Sequence, residues 1–207
     1  MRNRNISFTL LLLLITAGLS AQPAGRTQLQ VLPESKLRLD GNSTMHEYSA
    51  AASVISGTIL VDSSLFSAVS AGLSRLFRQA ELKIPVKKMN SGNEKLDDKM
   101  YDALKADDHP DITFRLTSDT TVSGTLKDTL KVNASGILSV AGKENPVELS
   151  FSLVRDQDNT VSIKGSKELL MSDFGIEPPS MMLGLLKTED KVVIHFDLRL
   201  RSQETVK

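Results

Sequence analysis

Apolar and polar residues take turns along most of this chain, and a period of two admits few folds. The cleanest run lies near the C-terminus, where Val192, Ile194, Phe196, Leu198 and Leu200 stand against Lys191, Val193, His195, Asp197 and Arg199. Leu130, Val132, Ala134, Gly136, Leu138 and Val140 make a second long run, and Val147, Leu149, Phe151 and Leu153 a third. Shorter runs carry Leu37 and Leu39; Leu82, Ile84 and Val86; and Ile112, Phe114 and Leu116. Residues 52–61 place Ile55, Gly57, Ile59 and Val61 on one face. Val122, Gly124 and Leu126 resume the pattern after a break at 118–120, and Val161 and Ile163 open a strand reaching toward Leu169. Successive side chains of a strand point to opposite faces, so each run has an apolar and a mostly polar side. That is the mark of antiparallel sheet with one face wet. Ala141-Gly142-Lys143-Glu144-Asn145 and Arg155-Asp156-Gln157-Asp158-Asn159 carry hairpin chemistry. The fold class is therefore all-β, and about eight such strands make either a sandwich or a closed barrel. Alternation alone leaves that choice open.

Two stretches change to a helical period. Residues 64–77 set Leu65, Phe66, Val69, Leu73, Leu76 and Phe77 on one stripe, with Asp62 or Ser63 as cap. Residues 93–106 group Leu96, Met100, Ala103 and Leu104, with Asn93 as cap and Pro110 beyond the end. One or two short helices should therefore close an end of the strand body. Residues 175–187 are irregular and rich in Met and Leu, behind Pro178-Pro179.

The N-terminus reads as an export leader. Arg2 and Arg4 precede a leucine-rich core, then small residues to Ala21. The core is short for a transmembrane helix, which takes roughly 20 apolar residues. Cleavage near Ala21 and a periplasmic address are expected, with secretion to the medium second. Residues 22–34 read as a flexible tail, 35–201 as one domain and 202–207 as a C-terminal tail. The chain has no cysteine, so neither disulfides nor thiol chemistry are available to it. Its 25 basic and 25 acidic residues balance, which gives no basic excess for nucleic acid. No Trp and two Tyr leave little for base or sugar stacking.

The polar residues assemble no recognisable reaction centre. His46, His109 and His195 are far apart in sequence and fit no metal motif. His46-Glu47 is a candidate acid/base pair, but neighbours on a strand face opposite ways. No Ser sits in a Gly-x-Ser-x-Gly frame. Asp97-Asp98 is favourable charge near a helix start, and neither it nor Asp107-Asp108 has calcium-loop spacing. No catalytic residue, metal or cofactor is expected. The inward-face candidates are instead apolar, with small residues interspersed. They would either pack a solid core or line room for one greasy ligand.

Ser35-Lys36-Leu37, Gly41-Asn42-Ser43-Thr44-Met45-His46, Ile84-Pro85-Val86 and Met89-Asn90-Ser91-Gly92-Asn93 occur in that order. They are followed by residues 96–105, His109-Pro110-Asp111-Ile112-Thr113-Phe114, residues 136–142 and residues 171–179. In order and spacing the chain resembles the YceI-like family of bacterial secreted lipid-binding (polyisoprenoid-binding) proteins. The resemblance implies a lipocalin-like antiparallel β-barrel of about eight strands, hollow, holding an apolar lipid. It carries no residue signature for the ligand. Alternation selects Leu37, Leu39, Ile84, Val86, Phe114, Leu116, Val132, Ala134, Leu149, Phe151, Ile194, Phe196 and Leu198 as wall. Leu73, Phe77, Met181 and Met182 are the candidate mouth, where transient membrane contact would occur; a homodimer is also open. The chain departs from many relatives in having Tyr48, not Trp, two residues after His46, and in the length of 64–77. The expected function is non-enzymatic lipid binding. The alternatives are a lipid-modifying enzyme using His46 and a structural or stress-related envelope protein without cargo.

Overall fold

A computed structural model describes residues 25–66, 75–123, 129–156, 158–181 and 186–203. Its strands are β1 (Arg26–Val31), β2 (Lys36–Ser43), β3 (Glu47–Ala52), β4 (Ser56–Asp62), β5 (Phe77–Pro85) and β6 (Met89–Asn90). Helix α1 (Glu94–Ala103) follows, then β7 (Asp111–Ser123), β8 (Thr129–Val140), β9 (Lys143–Arg155), β10 (Thr160–Leu170), β11 (Ser180–Met181) and β12 (Leu186–Ser202). Every pairing is antiparallel. The order β1-β4-β5-β7-β8-β9-β10-β12 returns to β1, so the sheet closes into an eight-stranded barrel. β2, β3 and β6 extend three of these strands toward one end. β1 and β2 follow one another along the same edge of β12, with Val31 opposite Leu200 and Lys36 opposite Asp197. β4 and β3 lie beside them, and β5 and β6 beside those.

This arrangement corrects the reading of 22–34 as a tail. Arg26–Val31 is the first half of the first long strand, and Leu29 is buried. A six-residue strand with one strongly apolar residue carries little periodic signal. Its partners β4 and β12, distant in sequence, fix it. Ser202 also belongs to β12 and pairs with Leu29. Residues 52–61 are likewise two strands, broken at 53–55.

Connections of a meander alternate between its ends. β4–β5, β7–β8 and β9–β10 turn at one end; β2–β3, β6–β7, β8–β9 and β10–β12 turn at the other. The first end is plugged. Residues 63–66 form a 3-10 turn, residues 67–74 of the expected helix lie outside the described residues, and Leu65, Leu76 and Phe77 sink into the barrel with Leu29, Val61 and Leu200. Asp119 holds this plug. The break in alternation at 118–120 is a pair of register shifts within β7 that leaves Asp119 buried. Its carboxylate accepts the amides of Leu76 (2.6 Å) and Phe77 (2.9 Å) and pairs with Arg75 at 3.2 Å.

At the other end α1 forms as expected. The Asn93 side chain caps it by accepting from the amides of Lys95 and Leu96. Buried Asp97 does more than favour the helix N-terminus. It accepts from the Ser91 amide (2.7 Å), the Ser91 hydroxyl (2.6 Å) and the Asn90 side chain (3.1 Å), which ties β6 to the helix. Tyr101 donates to the Met89 carbonyl at 2.6 Å, and α1 thereby stays against the wall. On the opposite side β9 and β10 pair only from Phe151 and Gly165 downward. Above that, Phe174 and Ile176 fill the seam, and the Asp190 carboxylate holds the 3-10 turn 172–174 through the amide and hydroxyl of Ser172.

Two measurements check these ties. Asp119→Ala strands two buried amides, so its urea midpoint should fall by an amount worth about 3 kcal/mol with an unchanged slope. The hydroxyl and amide of Ser172 hold Asp190 below its ordinary value of 3.8. A carboxylate depressed on folding stabilises fully above that ordinary value, and the contribution is lost as pH falls through the folded value. An NMR titration of Asp190 should therefore have its midpoint below 3.8, and Ser172→Ala should raise it.

Candidate functional site: an apolar cavity along the barrel

The inner faces of the strands converge, yet many of their side chains are only half-buried. Leu37, Leu39, Phe114, Leu149, Ile194 and Phe196 point inward and keep accessible surface. The reason is a cavity of about 380 Å³ that separates two packed regions. One is the plugged floor around Leu29, Leu65 and Leu200. The other packs α1 and the seam around Met89, Leu104, Phe174 and Ile176. From Leu169 at the top of β10 to Ile163 near the floor, the cavity runs about 20 Å at strand rise.

Of the residues selected by alternation, Leu37, Leu39, Ile84, Phe114, Leu116, Ala134, Leu149, Phe151, Ile194, Phe196 and Leu198 line this cavity. Val86 and Val132 do not. Pro85 lacks an amide and ends β5, so Val86 lies on a 3-10 turn and packs with Met89 and Leu104. Val132 faces inward but one layer too low, among Leu130, Leu153 and Val161 of the floor.

Small residues shape the room. Gly136 lies under the Phe114 ring, and Gly165 under Phe196; a Cβ at either would collide with the ring. Each aromatic ring thus lies against bare backbone and leaves the centre open. Lower down, Phe77, Phe151 and Phe196 meet edge to face, with ring centroids 5.8 Å and 6.5 Å apart, and make an aromatic floor.

The mouth is not where residues 64–77 and 181–186 were expected to form it together. Phe77 begins β5 beside Val61 and lies in the floor. Residues 64–77 and 181–186 belong to connections at opposite ends, because an odd number of strands separates them. Leu73 and Met182 lie outside the described residues. The backbone of Met181 pairs with Leu186 at the open end. The rim there is built by Ser43, Met45, His46 and Tyr48 from the β2–β3 hairpin, Leu96, Lys99 and Met100 from α1, and Met171, Pro179, Lys187 and Thr188.

Alternation missed this rim because loops and helices have no period of two. It also passed over Lys167, which lines the cavity from β10. The signal was present: 161, 163, 165, 167 and 169 share one phase, and Lys167 is the charged residue in it.

The histidines stay apart. His46 bonds through its backbone to Ser43, whose hydroxyl donates to the His46 carbonyl at 2.7 Å. Among the described residues its imidazole meets no carboxylate or hydroxyl. The His109 ring lies on Gly142 at the β8–β9 turn, and His195 faces Asp40 at 3.3 Å on the outer wall. No three His, Asp or Glu side chains converge as a metal site among the described residues. What the site offers chemically is burial of apolar surface.

Among solved structures, the chain is similar to Burkholderia cenocepacia BcnA, with 19% identity, a TM-score of 0.61, and coverage of 80% of this chain and 95% of that one. It is similar to a polyisoprenoid binding domain from Saccharophagus degradans implicated in plant cell wall breakdown, with 14% identity, a TM-score of 0.64, and coverage of 84% and 98%. It is also similar to the Campylobacter jejuni YceI protein, with 18% identity, a TM-score of 0.55, and coverage of 75% and 84%. These identities show a shared fold. No curated protein sequence matches. The model of the YceI-like domain matches residues 33–200, nearly the whole barrel, and on that match this chain belongs to the YceI-like family.

Proposed function

We propose that this protein binds one long apolar molecule, isoprenoid-like in character, and shields it from water without transforming it. The observation that carries this reading is the continuous apolar cavity from the His46 rim to the Phe77–Phe151 floor. A hydrocarbon chain gains about 0.8 kcal/mol per buried methylene. Ten methylenes would supply roughly 8 kcal/mol, equivalent to a micromolar dissociation constant before ordering costs. The polyisoprenoid binding named for the Saccharophagus degradans neighbour supports the same class of ligand.

The family match, and an imidazole of His46 that meets no acid or nucleophile among the described residues, favour binding over catalysis. We place the protein in the periplasm, with residues 1–21 as the export leader and secretion to the medium as the second choice. Transient membrane contact at the open end would let the ligand enter without crossing water.

Native mass spectrometry of gently purified protein, followed by organic extraction, tests the reading directly. A single lipid per barrel is expected. The same spectrum shows whether the chain begins at Gln22, as leader removal requires. A bare chain whose interior is filled by side chains would sink the proposal. A second test narrows the cavity. Ala134 lines it one layer above the floor, opposite Leu149. Ala134→Phe should displace at least two methylenes and weaken long-chain binding by about ten-fold, with less effect on short chains. Equal affinity in both proteins, with thermal midpoints matched, would place the chain elsewhere.

A further inference from the structure

Lys167 stands on the apolar face of a strand. Its β10 neighbours Ser166 and Glu168 point to solvent, while it is half-buried, opposite Ile194, which is in turn opposite Leu39. A lysine in such a wall loses hydration at its ammonium unless an opposite charge replaces the water. No described side chain supplies one. Lys83, Lys87, Lys164 and Lys191 on the outside pair with Asp111, Asp107, Asp197 and Glu168, whereas Lys167, Lys99 and Lys187 make no side-chain ion pair or hydrogen bond among the described residues.

The sign of the charge is uniform. Among the described residues the cavity is lined by three lysines and His46 and by no Asp or Glu, although the chain holds 25 acidic residues against 25 basic ones. Two carboxylates that follow Lys187 and Thr188 in sequence are engaged: Glu189 accepts from the Asn42 side chain at 3.0 Å, and Asp190 from Ser172. Tyr48 adds a donor. Its ring and hydroxyl lie over Gly41, where a Cβ would collide with them, and the hydroxyl has no hydrogen-bond partner among the described residues. Burial, then the nearby Glu189 charge, pushes this phenol up from its ordinary value.

We infer that the ligand carries an anionic headgroup, a carboxylate or a phosphate ester, which sits at the open end against Lys167, with Lys99, Lys187, His46 and the Tyr48 hydroxyl around it. The inference rests on the lipid-binding reading above and adds which end of the ligand stays up. The apolar tail fills the barrel toward the aromatic floor. The headgroup stays where water and the flexible lysine stems can follow it.

The test uses delipidated protein and matched chains below their aggregation limits: farnesol against farnesyl phosphate, and hexadecanol against hexadecanoate. Affinities are read by displacement of a neutral fluorescent probe. Each anion should bind about ten-fold tighter than its alcohol, the factor that one charge-assisted contact commonly gives, and the ratio should shrink with salt. Lys167→Met should remove most of that ratio, read as anion over alcohol within the same protein, and Lys167→Arg should keep it. A larger ratio for phosphate than for carboxylate assigns the headgroup to phosphate esters, and the reverse to fatty acids. Equal binding of alcohol and anion by the unmodified protein overturns the inference and leaves the lipid-binding reading standing. An intact ratio in Lys167→Met, with Lys99→Met equally silent, overturns it as well. Failure of every chain to bind removes both.

Discussion

A sheet edge exposes a row of unpaired amides and carbonyls, and an eight-stranded meander has two such edges until its first and last strands meet. Here the 17-residue β12 makes that junction. Its N-terminal part pairs with β2 and its C-terminal part with β1, while its other side pairs with β10 from Lys191 to Arg201. Closure forces every inward phase to face a common axis, and the inward phases are apolar. The cavity, its floor and its single open end all follow from that hydrogen-bonded seam.

Closure need not leave a hollow, since an eight-stranded barrel is narrow enough for side chains to fill. Three features keep this one open. Glycines beneath Phe114 and Phe196 let the rings lie against backbone instead of across the axis. The plug is confined to one end, because Asp119 ties Leu76 and Phe77 there. The wall is widened at the other end, where β9 and β10 separate above Gly165 and α1 spans from β6 toward β7. Apolar burial drives folding at both ends and is deliberately incomplete between them, and that uncovered apolar surface is available to a ligand.

The long strands β8, β9 and β12 were legible because their side chains repeat with a strict period over many residues. Most of the cavity wall followed from the same phase, as Leu39, Phe114 and Ile194 show. The failures share one cause. Arg26–Val31 has too little pattern to be seen alone and becomes a strand only between β4 and β12. Val86 kept the phase of Leu82 and Ile84 past a proline that ends the strand. Val132 had the right face and the wrong depth, and Phe77 the right stripe and the wrong end. Face is a local property of a strand; depth and end are positions along a closed barrel.

The sequence by itself therefore determined the all-β class, the capped helix at Asn93, which residues face inward, and, through its family motifs, the lipocalin-like barrel. Side-chain alternation, turn chemistry and capping act within a few residues, so they are written locally. The tertiary structure decided that the first strand begins before residue 35, that one end is plugged and the other open, and that Lys167 lines the wall below a rim to which Lys99, Lys187, Tyr48 and His46 contribute. Those facts depend on pairings between segments more than a hundred residues apart, such as β1 with β12. Hydrogen bonding across that distance is fixed only when the barrel closes.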